Sequence, residues 1–505
     1  MGILNEVLGF FIKRRMERIA HFRANPIETQ LDVFKTLMTS ARHTEWGKKY
    51  GYQSIQTVQD FQSRVPISNY EDIYPFIERN LRGEQNILWP TDIQWFSKSS
   101  GTTNARSKFI PVSPESLEEG HFRGGKDVMT LIFENDPESK IYDGKGLSIG
   151  GALHENPFNP ETQVGDVSAV IMKNLPTWAD YIRTPPIEVA LLDKWEDKMD
   201  QMIEICSREN VTSILGVPTW TVVLLENILQ RTGAQNLLEI WPQFEIFVHG
   251  AVNFQPYREL FQTKLFPSSA VKYMETYNAS EGFFGIQDDL SKVGEMLLML
   301  DYGIFYEFIP MDENQEEMPT VLTLDQVEIG KNYALLISTN SGLWRYRIGD
   351  TIRFTSRYPF RLKVSGRTKH FINAFGEEVI IENAESAITQ ACSATGAMIS
   401  DYTAGPVYMD NKTKGRHEWV IECLVPPSDP EVFIQTLDQT IRNVNSDYDA
   451  KRYLDMALLR PIVHFVPSGT FYRWMEKRGK LGGQNKVPRL ANSREYLDDL
   501  LPLIR

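Results

Sequence analysis

Short β-rich runs alternating with stretches of helical periodicity limit this chain to few architectures. Strand-like clusters of apolar residues occur over 212–215, 244–248, 271–276, 297–310 and 333–339. Helical periodicity marks roughly the first forty residues, then 188–208 and 219–230. That alternation predicts an α/β body with mixed sheets. After Arg367 the texture changes. Segment 375–387 reads as a turn and a helix, 419–425 as a strand, 431–444 as a helix and 461–466 as a second strand, the content of a small α+β unit. A chain of 505 residues exceeds one ordinary core and suggests about two to four folding units. The expected boundary lies near 367–370, with a large N-terminal domain over 1–368 and a smaller C-terminal domain over 369–505.

Apolar residues at 42% and charged residues at 24% give the balance of a soluble globular protein, and no segment has the apolar length of a bilayer crossing. The net charge of −13 repels nucleic acid and anionic lipid, so an anionic substrate must be held by local groups. Cys206, Cys392 and Cys423 stand far apart, without metal-type spacing or a disulfide framework, and a reducing cytoplasm is the expected setting. Near the start, Leu4, Val7, Leu8, Phe11 and Ile12 form an apolar stripe that precedes Lys13, Arg14, Arg15 and Arg18. A secretory signal has the reverse charge order, and Glu6 stands where a myristoylation signal needs Ser or Thr. The stripe reads as an amphipathic helix docked on the body, with a membrane-surface helix as the alternative and no stable insertion.

Several stretches carry chemistry. Ser99-Ser100-Gly101-Thr102-Thr103-Asn104-Ala105-Arg106-Ser107-Lys108 combines small hydroxyl residues with glycine, which lets backbone N–H and hydroxyl groups approach phosphate oxygens, and Lys108 adds a point charge. The P-loop pattern is not met, because Arg106 stands where the second glycine belongs. A polar surface loop is the alternative reading. Thr276-Tyr277-Asn278-Ala279-Ser280-Glu281-Gly282 follows an expected strand. It offers a flat ring, a hydroxyl and a hard carboxylate ligand suited to Mg²⁺. A capped helix start would use the same Ser and Glu, and the hydrolase elbow fails because Asn278 replaces its first glycine. Trp344-Arg345-Tyr346-Arg347-Ile348-Gly349-Asp350 reads as a strand with Arg345 and Arg347 on one face, ending in a carboxylate able to chelate a ribose. The alternative is a structural Arg–Asp pair. Gly366-Arg367-Thr368-Lys369 and Gly483-Gln484-Asn485-Lys486-Val487-Pro488-Arg489 are weak alone.

In order and spacing, these pieces resemble the adenylate-forming enzymes and, within them, the Gretchen Hagen family of acyl acid-amido synthetases known from plant auxin and jasmonate conjugation. The shorter chain points to trimmed loops and a bacterial member. His249-Gly250 stands where that family more often has Gly-Gly, and Asn104 where it has another small residue.

The resemblance implies a large N-terminal adenylation domain with mixed β-sheets and helices, plus a small mobile α+β lid hinged near Lys369. It implies ATP and Mg²⁺, a small carboxylic acid and an amine acceptor such as an amino acid, and no nucleic-acid partner. By the same resemblance, Ser99, Ser100, Gly101, Thr102 and Thr103 would hold the β- and γ-phosphates with Lys108 in support. Thr276, Tyr277, Asn278 and Ala279 would frame the nucleotide, with Tyr277 on adenine. Ser280 would touch the α-phosphate, Glu281 would hold the metal, and Asp350 with Arg367 would grip the ribose. Lys486 would be the catalytic cation delivered by the lid. Family geometry points the acid towards His121, Phe122, Arg123, Val217 and Trp220. An acyl-CoA or carrier ligase using the same first step is the rival enzyme, and a non-catalytic nucleotide-binding protein is the third reading.

Overall fold

The computed structural model describes residues 2–99, 108–192, 195–252, 254–314, 316, 318–367, 371–409, 413–478 and 487–504, with the backbone alone at 2–11, 99, 177–178, 195–196, 219–220, 256, 367 and 382. Among these, the main sheet has eleven strands. Its order is Ile304–Pro310, Asn332–Thr339, Tyr346–Arg357, Phe360–Arg367, Met296–Leu298, Gly282–Ile286, Lys272–Ala279, Ile246–Gly250, Val211–Gly216, Lys145–Ser148 and Arg183–Thr184. From Lys272–Ala279 to Arg183–Thr184 every pairing is parallel, and from Lys272–Ala279 to Ile304–Pro310 every pairing is antiparallel.

Sequence explains the difference between the halves. Parallel strands need crossovers and are covered on both faces, so they read as near-continuous apolar runs such as Ile246-Phe247-Val248. The crossover after Val211–Gly216 is the helix Pro218–Thr232. It starts with Pro at its first position and stops at Gly233, whose φ of 73° is a left-handed conformation that glycine adopts at no steric cost. A smaller sheet pairs Lys108–Val112, Trp95–Ser99, Gln163–Gly165 and Leu153–Glu155 in that order.

Beyond residue 371 lies the small α+β unit that the sequence suggests. Strands Met398–Val407, Arg416–Val425 and Ile462–Pro467 form its sheet, with helices Ile381–Thr395 and Pro430–Val444. The fold class is therefore α/β, a large mixed-sheet body followed by a small α+β unit. One apolar core is continuous across the join, running from Phe254, Tyr257 and Phe261 to Ile372, Phe375 and Val379. The Tyr257 hydroxyl donates to the Ala374 carbonyl at 2.8 Å.

The N-terminal stripe lies in the helix Gly2–Ala24, whose C-terminal half docks on the body, while the side chains of 2–11 lie outside the described ones. Ile19 and Phe22 are buried, and Arg15 bridges Asp127 at 2.7 Å and Asp301 at 2.5 Å. No described helix is long and apolar enough to cross a membrane.

Two expectations are corrected. The run over 297–310 divides into Met296–Leu298 and Ile304–Pro310, because Gly303 turns the chain with φ 70°. The expected strand face shared by Arg345 and Arg347 does not form. Arg345 precedes the strand with φ 44°, and its guanidinium is buried against Glu307 at 3.1 Å while donating to the Gln62 and Val65 carbonyls. It is a structural ion pair.

Candidate active site

The strand Lys272–Ala279 is the seam between the two halves of the main sheet. One edge bonds in parallel to Ile246–Gly250 and the other in antiparallel fashion to Gly282–Ile286. Gly250 pairs with Thr276, and a Cβ at Gly250 would lie 2.6 Å from the Thr276 carbonyl oxygen, so only glycine permits this approach. The Thr276 hydroxyl donates to the His249 carbonyl at 3.2 Å. Ala279 pairs with Gly282, which makes Ser280-Glu281 a two-residue hairpin turn and excludes the capped-helix alternative. Glu281 is buried, with 9% exposure, at this turn.

Asp350 reaches the seam from a strand four places away in the sheet. A flat sheet would separate those strands by about 19 Å. Instead the Tyr277 hydroxyl donates to Asp350 Oδ2 at 2.5 Å, so the antiparallel half must curl round towards the seam strand. The Tyr277 ring packs 4.8 Å from Phe284. Asp350 is also the cross-strand partner of Arg367, bringing the backbone of that sequence candidate to the same place.

Ser99 and Lys108 are cross-strand partners at the open end of a hairpin, so the hydroxyl-rich stretch joins two paired strands. Ser100, Gly101, Thr102 and Thr103 lie outside the described residues, as does Lys486. Lys108 is buried, and its ammonium stands 5.6 Å from the centre of the Tyr70 ring. The next residue, Phe109, donates its N–H to the Tyr70 hydroxyl at 2.7 Å. Tyr70 opens the helix Tyr70–Leu81, whose start is fixed by an Asn69–Asp72 capping box. Just before it, Ser68 pairs with the Arg345–Arg347 segment: its N–H donates to the Arg345 carbonyl at 3.0 Å and its carbonyl accepts from Arg347 at 2.9 Å. Residues 68–70 thus join two of the recognised stretches. Sequence reading passed over them because only the capping pattern marks the place.

The acid-pocket candidates lie on two parts of the fold. His121 lies in a π-helical turn, Ser116–Phe122, and burial beside Asn278 pushes its imidazole down to about 4. It faces the seam, as π-turns near functional sites often do. Arg123 donates to the Asp301 carbonyl at 2.7 Å, neither exposed nor paired with a described carboxylate. Val217 packs half-buried just after Gly216, the register partner of His249, and Trp220 lies in the first turn of the following helix. His249 stacks on Phe254 at 4.1 Å, and burial, then Arg258, pushes its imidazole down to about 3.

Strand ends meeting a buried acidic turn and a curled-back carboxylate place the protein in the fold class of the adenylate-forming enzymes. Its fold matches a crystal structure of 2-hydroxyisobutyryl-CoA ligase in complex with 2-HIB-AMP and CoA, with TM-score 0.57 and 12% identity over 95% of this chain and 92% of that one. A structure of the GH3.15 acyl acid amido synthetase matches with TM-score 0.61 and 18% identity over 97% and 95%. The chain belongs to the GH3 family: residues 15–271 match the GH3 family N-terminal domain, 297–367 the central domain and 382–495 the C-terminal domain. Among curated relatives, the Arabidopsis thaliana indole-3-acetic acid-amido synthetase GH3.3 is 23% identical over 92% of this chain and 89% of its own length.

Proposed function

We propose that this protein joins a small carboxylic acid to an amine, an amino acid being the favoured acceptor, through an acyl-adenylate made from ATP. The observation that carries the reading is the Tyr277–Asp350 hydrogen bond, which closes two distant stretches around one seam beside Glu281. Family membership and the names of the relatives support it.

A carboxylate is a poor electrophile. Its oxygen attacks the α-phosphorus of ATP, the bond to pyrophosphate breaks, and a mixed anhydride forms. Charge on three phosphates must be neutralised at once, which dictates cations and N–H donors around the nucleotide. Ser99, Ser100, Gly101, Thr102 and Thr103 would cradle the β- and γ-phosphates with Lys108, while Ser280 meets the α-phosphate. Asp350 and Arg367 would hold the ribose beside Tyr277. Glu281 fits a magnesium ion, because Mg²⁺ takes hard oxygen ligands and commonly uses one or two carboxylates plus phosphate oxygens. The ion would supply charge neutralisation on the phosphates.

Residues 1–368 would form the adenylation domain and 369–505 a lid that presents Lys486. Closure excludes water that would hydrolyse the anhydride, and the amine then attacks the acyl carbon with AMP leaving. His121, Arg123, Val217 and Trp220 would bound the acid. The free thiols of Cys206, Cys392 and Cys423 support a reducing cytoplasm.

Acid-dependent exchange of labelled pyrophosphate into ATP, run across a panel of carboxylic acids, tests the first step. Exchange with at least one acid is expected, falling by orders of magnitude in Lys486→Ala with ATP binding retained. Acceptor assays test the second step: thioester from coenzyme A without amide from any amino acid would reverse the acceptor assignment.

A further inference from the structure

Tyr70 lies outside every stretch that the sequence singles out, yet its contacts converge on the site. Three observations bear on it. Its hydroxyl accepts the Phe109 N–H at 2.7 Å, on the strand that leaves the hydroxyl-rich stretch. Its ring lies 5.6 Å from the buried Lys108 ammonium, within cation–π range. Its backbone is tied in turn to the Asp350-bearing strand through Ser68 and to its own helix through the capping box. The Glu281 carboxylate lies within electrostatic reach of the phenol, whose ionisation burial pushes up, so Tyr70 stays neutral.

We propose that Tyr70 is a positioning residue for adenylation, holding Lys108 and the start of its strand in fixed relation to the turn that carries Glu281. The idea rests on the adenylation reading above and adds a residue to it. A bound Mg·ATP would meet Lys108 and Glu281 together, so the separation of these two side chains would decide how well the bound geometry matches the reacting one. A lysine on a flexible stem holds no fixed position by itself. Here the stem is buried and the ammonium lies near the ring, while the Phe109 N–H locks the strand in register with that ring. The hydroxyl retains a proton after accepting from Phe109, and no described group accepts it, so it is available to an oxygen of the bound nucleotide.

Tyr70→Phe keeps the ring and removes the hydroxyl, both as acceptor from Phe109 and as donor. The expected result is about a tenfold rise in the KM for ATP and in the Mg²⁺ concentration for half-maximal exchange, the size of one lost hydrogen bond. KM for the acid should not change, and a purely structural role would instead lower the thermal midpoint with no selective effect on ATP. Lys108→Met alone and combined with Tyr70→Phe completes a double-mutant cycle. Non-additive effects on the ATP KM are expected, and additive ones overturn the proposal, as does an unchanged ATP KM in Tyr70→Phe. Should the parent protein show no exchange with any acid, the reaction assignment fails by itself. Calorimetric titration with Mg·ATP then reads Tyr70 directly, equal affinity of parent and Tyr70→Phe overturning the role.

Discussion

The hydroxyl of Tyr277 and the carboxylate of Asp350 make the shortest statement of the site, a single bond between distant parts of the chain. Tyr277→Phe removes the donor and leaves Asp350 without that partner. We expect a KM for ATP raised about tenfold with little change for the acid, as steady-state exchange kinetics will show. His249 contributes to the pH dependence of stability. Its folded imidazole stays neutral down to about 3, whereas an unfolded histidine takes a proton near 6.5. A depressed folded value means stability is fully present above 6.5 and is lost as pH falls towards 3. The slope is about 1.4 kcal/mol per pH unit for each such histidine, and His121, pushed down to about 4, adds a second. Urea unfolding of His249→Phe between pH 6.5 and 4.5 should show the slope reduced by one histidine's share. An unchanged slope would assign the acid sensitivity elsewhere.

Among the elements, the N-terminal helix has the clearest energetic anchor. Arg15 holds Asp127, whose side chain is fully buried and also accepts from the Tyr302 hydroxyl at 2.6 Å. Truncating Arg15 leaves a buried carboxylate without its cation, which costs about 3 kcal/mol or more in comparable pairs. Arg15→Ala should therefore unfold at markedly lower urea concentration, and Arg15→Met with Asp127→Leu should recover much of the loss. Element by element, the sequence revealed what local chemistry enforces. Helical periodicity over the first forty residues and over 219–230 marked Pro26–Ala41 and Pro218–Thr232, and apolar runs marked three strands of the parallel half, but not Lys145–Ser148 or Arg183–Thr184. The strand Met398–Val407 was not legible, since Ser400, Asp401, Gly405 and Pro406 break its alternation. Its pairing with Arg416–Val425 and with residues 489–491 forms it instead, a tertiary choice overriding propensity. Asp350 was legible as a carboxylate, but the curl that brings it to Tyr277 was not, because nothing local encodes it. Tyr70 was invisible for the same reason.

At the scale of the whole molecule, the core that runs unbroken from Phe254 to Phe375 bears on the proposed lid. A lid rotating as one body must give up the Tyr257–Ala374 hydrogen bond and separate apolar surfaces, so rotation needs compensation from a reaction step such as pyrophosphate release. A fragment ending at residue 368 exposes the faces that Ile372, Phe375 and Val379 cover. We expect it to unfold at lower urea concentration than the full chain; equal midpoints would show that the small unit adds nothing to the body.

The seam strand Lys272–Ala279, unlike either of its neighbours, obeys two pairing rules at once. On its parallel flank the chain departs through long crossovers, whose lengths and side chains are free to vary without disturbing the strand. On its antiparallel flank the chain must return within two residues, which leaves no such freedom. Insertions and substitutions are therefore expected to be tolerated in the crossover 251–271 and resisted at the turn Ser280-Glu281.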